Sequence, residues 1–173
     1  MTVLLRVAAI VFVAAVFQVS ALSQAVLLGA TPDLLLVALV SVALLRGSIP
    51  GAVAGFAAGL IVDIATLGTL GVSSLLLTVA GYWTGRYGET TARGRAYAPS
   101  LAVAAATVGV GVGAVLVHYL LGEAVVAQRA LWPLLPAAVL NVLLAVPVHR
   151  LCRRIVGETP RADRGRAVEV HAV

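Results

Sequence analysis

Few side chains in this 173-residue sequence could carry out covalent chemistry. The chain has twelve arginines and no lysine, and its one cysteine is Cys152, which excludes a Schiff-base lysine, an intramolecular disulfide and a multi-thiolate metal site. Ser73 follows Gly71 in a Gly-x-Ser sequence, and His118 is expected near the same face of the protein. One serine and one distant histidine are a weak basis for a nucleophile and its base. The sequence therefore does not indicate an enzyme, and we predict no metal site and no cofactor.

A row of glycines leading to a carboxylate is the most informative local pattern. Gly51, Gly55, Gly59 and Asp63 follow one another at four-residue spacing, so they share one face of a predicted helix. Glycines on one stripe allow another helix backbone to approach closely, and an ionisable residue within a membrane span usually faces protein or water. We predict a helix-packing or partner-contact face. The sequence leaves open whether the neighbour belongs to this chain or to a partner, and whether Asp63 instead reaches the interface or caps its own turn.

Three other polar side chains interrupt apolar segments. Asp33 follows Pro32 at the predicted outer mouth of the second helix, where proline suits the first turn and an acid suits the helix dipole. A contact between Asp33 and a partner is the second interpretation, compatible with the first. Asn141 lies midway along the last apolar segment and, like Gln18 on the first, needs a hydrogen-bonding neighbour on another helix. Ligand binding is the alternative interpretation of Asn141.

The elements that must position these residues are membrane-spanning helices. Hydrophobic residues make up 61% of the chain and charged residues 11%, against about half and about a quarter in soluble domains. A span needs roughly 20 apolar residues. We predict an all-α membrane helix bundle over residues 1–156 with six transmembrane helices, of which the second and fourth are short. The predicted spans are Leu4–Leu22 (reaching at most Leu28), Leu34–Leu45, Ile49–Leu67, Val72–Tyr87, Ala98–Leu121 and Leu131–Cys152.

The positions of the arginines predict the orientation. With the amino terminus inside, every arginine except Arg129 falls on the cytoplasmic side, as the positive-inside rule requires. Both termini are then cytoplasmic. A cleaved signal peptide ending near Ser20-Ala21 is the competing interpretation of the first segment, and it leaves the carboxyl terminus inside.

Basic residues cluster after the sixth span. Arg150, Arg153 and Arg154 are predicted to contact anionic lipid headgroups, with a protein partner as the alternative. Residues 157–173 form an Arg-rich segment predicted to be a disordered cytoplasmic tail, whose contacts could be lipid or protein. Basic loops beside a bilayer explain the excess of positive charge, so we predict no nucleic-acid partner.

The stretch from Pro32 to Gly85 closely resembles the bacterial rod shape-determining MreD family. The shared features are Pro32-Asp33 followed by leucines, Arg46-Gly47, the pattern G-x-x-x-G-F-x-x-G-L-x-x-D over residues 51–63, Gly71, and Gly81-Tyr82. The similarity covers about a third of the chain well, and the Arg-rich segment after Gly157 departs from it.

The resemblance implies a non-enzymatic component of the cell-elongation machinery in the bacterial cytoplasmic membrane. It implies a fold similar to that of the solute-binding subunits of vitamin transporters. The partners it implies are MreC, a bitopic membrane protein, the MreB filament, and the peptidoglycan synthases RodA and a class B penicillin-binding protein. The glycine and Asp63 face then becomes a packing surface within the chain or for MreC. A small-solute-binding subunit of a transporter is the alternative function.

Overall fold

A computed structural model describes residues 2–20, 31–67, 69–90, 97–122 and 132–156. These residues form six α-helices and contain no strand. The helices are α1 (Thr2–Ser20), α2 (Leu34–Arg46), α3 (Ser48–Thr66), α4 (Val72–Thr90), α5 (Ala98–Leu120) and α6 (Leu134–Val156).

The second helix is the core of the bundle. Every residue from Leu35 to Ala43 is buried, and α2 packs against all five of the other helices. Those helices form a ring around it in the order α1, α3, α4, α5 and α6, and α6 closes the ring on α1 with the slightest of these contacts. A helix that is apolar on all sides needs apolar surroundings on all sides, and here the surrounding helices supply them.

Helix length separates α2 from its neighbours. At 1.5 Å per residue, the 13 residues of α2 span about 20 Å, whereas the 23 residues of α5 and of α6 each span about 35 Å. Three described helices, α3, α5 and α6, are long and apolar enough to cross a membrane. These helices indicate a multi-pass membrane protein. The apolar parts of α1 and α2 are shorter, so six complete spans remain a prediction.

Each segment predicted as a span contains one helix, with ends that differ by up to four residues. The predicted place of Pro32 in the first turn of α2 was wrong, because Pro32 precedes the N-cap residue Asp33. The possible extension of the first span to Leu28 and the predicted tail at 157–173 lie outside the described residues. The helix α1, which could also have been a signal peptide, packs against α2 and α3.

All arginines in the described part of the chain lie toward one end of the bundle, which we call the basic end. Here α1, α3 and α5 begin and α2, α4 and α6 end. The six arginines are Arg6, Arg46, Arg86, Arg150, Arg153 and Arg154. The opposite end, where α3 turns into α4, is called the far end.

Candidate functional site

The three glycines of α3 lie directly against the backbone of α4. A Cβ atom on Gly51 would come within 2.6 Å of the carbonyl oxygen of Gly81, and one on Gly55 within 2.6 Å of the carbonyl carbon of Leu77. A Cβ on Gly59 would overlap the backbone of Ser74. The neighbour that the sequence left undetermined is therefore a helix of the same chain, and a separate partner has no access to this face.

A second row of glycines, on α4, faces back across the same contact. A Cβ on Gly81 would lie 2.7 Å from the carbonyl carbon of Gly51, and one on Gly85 would lie 2.6 Å from the Cα of Ser48. Gly88 continues the row toward Leu44, near the end of α2. Sequence analysis missed this row, although its four- and three-residue spacing is the signal that identified the row on α3.

Asp63 joins the two helices at the far end. The residue is only 2% exposed, and its carboxylate accepts hydrogen bonds from the backbone N–H of Gly71 at 2.8 Å, of Ser73 at 3.2 Å and of Ser74 at 3.4 Å. The Ser74 hydroxyl donates to it as well, at 3.4 Å. These donors lie at the start of α4, where N–H groups lack partners within the helix and the helix dipole favours negative charge. Asp63 therefore caps α4 from α3.

Glu89 makes the corresponding contact at the basic end. Its Oε1 accepts hydrogen bonds from the backbone N–H of Ser48 at 3.0 Å and from the Ser48 hydroxyl at 3.2 Å, and Arg86 pairs with its Oε2 at 3.5 Å. Ser48 is the first residue of α3. Each helix of the α3–α4 pair thus begins at a carboxylate supplied by the other helix.

Replacing Asp63 with alanine is expected to destabilise the fold more than replacing it with asparagine. Asparagine keeps one acceptor oxygen for the start of α4, whereas alanine removes the partner of all three N–H groups, at about 1–3 kcal/mol for the buried N–H of Ser74 and less for the other two. Thermal unfolding of both variants in detergent measures the order. Equal stability of Asp63→Ala and the wild type would contradict the capping role.

A third polar contact lies at the start of α2, in a group of residues that we call the buried polar cluster: Thr107 and Asn141, which are buried, and Gln18 and Asp33, which are partly buried. Asn141 is fully buried. Its Oδ1 accepts a hydrogen bond from the backbone N–H of Asp33 at 2.7 Å, and its Nδ2 donates to the Thr107 hydroxyl at 3.1 Å. The cluster therefore ties α5 and α6 to the first residue before α2.

Gln18 joins α1 to the same point. Its Oε1 accepts from the backbone N–H of Leu34 at 2.8 Å, and its Nε2 donates to the carbonyl oxygen of Pro32 at 3.1 Å. Asp33 itself accepts from the N–H of Leu36 at 2.9 Å. The cluster thus satisfies the N–H groups that the first turn of any helix leaves without internal partners.

The buried polar cluster lies more than two helical turns from the start of α5 and nearly two from the start of α6. Asn141 lies seven residues after the start of α6 at Leu134, or about 10 Å along the helix, and Thr107 lies nine residues after the start of α5 at Ala98, or about 14 Å. Asp33 therefore lies at the start of α2, as predicted, and this start is set back from the ends of α5 and α6. Irregular backbone at this depth is tolerated only where protein groups satisfy it.

Three of the four cluster residues were identified from the sequence, but the contact between them was not predicted. Gln18 and Asn141 were each expected to find a neighbour, and Asp33 was expected at the positive end of the α2 dipole. Thr107 was missed, and a lone threonine in an apolar segment was its only signal. Its hydroxyl also donates to the carbonyl oxygen of Val103 on its own helix at 2.9 Å.

The arrangement of these groups joins helices and does not assemble a reactive centre. The polar atoms of Gln18, Asn141 and Thr107 bond within the chain, and Ser73 donates its backbone N–H to Asp63. Within the described ranges, no three His, Cys, Asp or Glu side chains lie close enough to hold a metal ion. Arg150, Arg153 and Arg154 lie exposed on the last turns of α6.

Comparison with known proteins gives one match. The sequence model of a family described as rod shape-determining protein MreD matches residues 1–155. No curated protein and no solved structure matches the chain. A likeness to the solute-binding subunits of vitamin transporters thus remains a prediction.

Proposed function

This chain belongs to the rod shape-determining protein MreD family, and we propose that it is a non-enzymatic scaffold that organises peptidoglycan synthesis during cell elongation. The family assignment makes it a rod shape-determining membrane protein. The scaffold role is the finer proposal. In this role, the helix bundle contacts an MreC-like bitopic protein within the membrane. Through the MreC-like protein it is linked to the MreB filament and to the synthase formed by RodA and a class B penicillin-binding protein.

The filled interior of the bundle is the observation that carries this proposal. The centre of the ring, where a helical bundle would hold a solute, is occupied by α2, whose residues 35–43 are all buried. The glycines and the buried polar cluster make their contacts inside the chain. What remains for a partner is the outer surface, which is made largely of exposed apolar side chains. A protein of this kind acts through its surface.

A small-solute-binding subunit is the alternative function. The structure has a hollow of about 270 Å³ at the far end, lined by Asp63, Ile64, Leu67 and Leu70. Three of these side chains are apolar, and the carboxylate of Asp63 is already bonded to the start of α4. A polar solute would have to compete for that carboxylate, so the hollow favours the alternative only weakly.

The proposal places the protein in the cytoplasmic membrane, with the basic end toward the cytoplasm. The support is electrostatic, because positively charged residues near the ends of spans are retained on the cytoplasmic side. All six arginines of the described ranges lie toward that end. The chain would then begin and end in the cytoplasm.

Site-specific photo-crosslinking in living cells tests the scaffold role. A photoreactive phenylalanine is placed singly at Phe12, Phe56, Trp83 or Val108, which are between 45% and 67% exposed and lie on four different helices. At least one position is expected to crosslink to the MreC-like protein. Leu39, fully buried in α2, is the matched control that should give no crosslink.

The outcomes separate the two functions. Variants that restore rod shape to a deletion strain but crosslink to no bitopic protein from any helix would contradict the scaffold role. Specific binding of a small solute to the purified protein, together with that failure, would favour the transporter-like alternative.

A further inference from the structure

Two arginines from different helices converge on the end of α6 at the basic end. Arg6 of α1 donates from Nη1 to the carbonyl oxygen of Ile155 at 3.3 Å, and Arg46 of α2 donates from Nη2 to the carbonyl oxygen of Val156. The last carbonyls of a helix lack internal partners and carry the negative end of its dipole, so cations are favoured there. We call Arg6, Arg46 and the last two turns of α6 the basic corner.

The carbonyls of α6 use only part of the hydrogen-bonding capacity of these guanidinium groups. An arginine side chain has five N–H donors, and a buried donor without a partner costs free energy. Nε of Arg46 is buried and has no hydrogen-bond partner among the described residues. Among the described residues, the basic corner therefore has more guanidinium donors than acceptors.

Charge among the described residues at this end of the bundle is unbalanced. Of the acidic residues in the described ranges, Asp33 and Asp63 lie inside the bundle and toward the far end, and Glu89 already pairs with Arg86. Arg150 and Arg154, exposed on the last two turns of α6, add two further cations for which the described residues provide no ion pair. The acceptor that suits the corner is an anion from outside these residues.

The position of the corner identifies the class of anion. It lies where α6, a helix long and apolar enough to cross a membrane, ends. It also lies between α1 and α6, which make the slightest contact in the ring. Leu151 and Ile155, exposed on the same two turns, offer apolar surface beside the cations. Phosphate beside apolar surface is the chemistry of a phospholipid, and basic pockets between membrane helices bind such headgroups.

We propose that the basic corner binds the phosphate of an anionic membrane lipid, which closes the α1–α6 side of the ring. The phosphate oxygens accept hydrogen bonds from Arg6 and Arg46, and the acyl chains lie along α6. Arg150 and Arg154 attract the headgroup from the outer side of α6. This site goes beyond the scaffold role and does not depend on it.

Native mass spectrometry of the purified chain, exchanged against phosphatidylglycerol or phosphatidylcholine with identical acyl chains, tests the proposal. The wild type is expected to retain phosphatidylglycerol in preference to phosphatidylcholine. Arg6→Gln should weaken that retention about fivefold, the equivalent of about 1 kcal/mol for one arginine near a lipid surface. Arg46→Lys keeps the charge but removes the planar guanidinium fork, and should weaken the retention of phosphatidylglycerol as well.

Arg86→Gln is the matched control, because it removes one arginine at the same end whose partner is Glu89. Retention by this variant should equal that of the wild type. Since Arg6 is exposed, Arg6→Gln is expected to fold even if a substitution at Arg46 does not, and it decides the question alone.

Equal retention of the two lipids by the wild type, or an equal loss in Arg6→Gln and Arg86→Gln, would overturn the proposal. Excess inorganic phosphate provides the other arm. Displacement of phosphatidylglycerol by inorganic phosphate would assign the basic corner to a soluble anion and overturn the proposed lipid site. Phosphatidylglycerol that stays bound supports the lipid site.

Discussion

Replacing Gly55 with alanine is expected to force α3 and α4 apart and to lower the free energy of unfolding by about 3 kcal/mol, the upper part of the usual range for overpacking. The added Cβ would overlap the carbonyl oxygen of Leu77 and would lie 3.0 Å from the backbone nitrogen of Thr78. These obstacles are backbone atoms, which cannot rotate away as a side chain can. Because α3 and α4 form the most extensive helix pair in the bundle, the yield of folded protein should fall as well.

Gly109→Ala is the matched control for Gly55→Ala. Gly109 lies within α5, and a Cβ there would meet nothing within 4 Å. The same change should therefore cause no loss, since alanine favours a helix over glycine by about 1 kcal/mol. Thermal unfolding followed by size-exclusion chromatography in mild detergent measures both variants. Equal unfolding temperatures for Gly55→Ala and the wild type would contradict the close approach of α3 to α4.

The helices themselves were predictable because neighbouring residues in the sequence determine where each helix begins and ends. Arg46-Gly47 separates α2 from α3, and Gly47 adopts a φ of +98°, which is strained for residues with a side chain. Polar and glycine residues likewise bound the other apolar runs. The packing face of α3 was predictable for a similar reason, since spacing along one helix determines which residues share a face.

The central position of α2 could not be deduced from the sequence. A helix surrounded by lipid and a helix surrounded by other apolar helices present the same all-round hydrophobic pattern. Length was the one local difference. The 13 residues of α2 suggested a short or incomplete span, and the structure shows a helix that begins inside the ring of the other five.

The buried polar cluster was beyond sequence reasoning for another physical reason. Asn141 and the backbone N–H that it accepts from are 108 positions apart. One amide in an apolar helix can pair with any polar group that the fold brings near, so its partner depends on the packing of all the helices. Sequence reasoning could state that Asn141 needs a partner and could not identify Asp33.

Replacing Asn141 with leucine is expected to lower the free energy of unfolding by about 2–3 kcal/mol. Leucine has the same number of side-chain heavy atoms and the same branching, so no cavity forms and the main loss is hydrogen bonding. The N–H of Asp33 loses its 2.7 Å partner in an apolar interior, at a cost of about 1–3 kcal/mol for an unsatisfied buried donor. Thr107 loses the amide that it accepts from, although its own donation to Val103 remains. Hydrogen exchange at the Asp33 amide should accelerate in the same variant.

Ser41→Ala is the control that separates the cluster from buried polarity in general. Ser41 is also fully buried, on α2, but its hydroxyl donates to the carbonyl oxygen of Val37 on the same helix at 2.8 Å, so no contact between helices depends on it. Its removal should cost far less than Asn141→Leu. Thr107→Val completes a double-mutant cycle with Asn141→Leu, and because the two residues share a hydrogen bond their effects should not add. If Asn141→Leu were as stable as Ser41→Ala, and if the effects of Asn141→Leu and Thr107→Val on stability were additive, the start of α2 would be held by apolar packing alone.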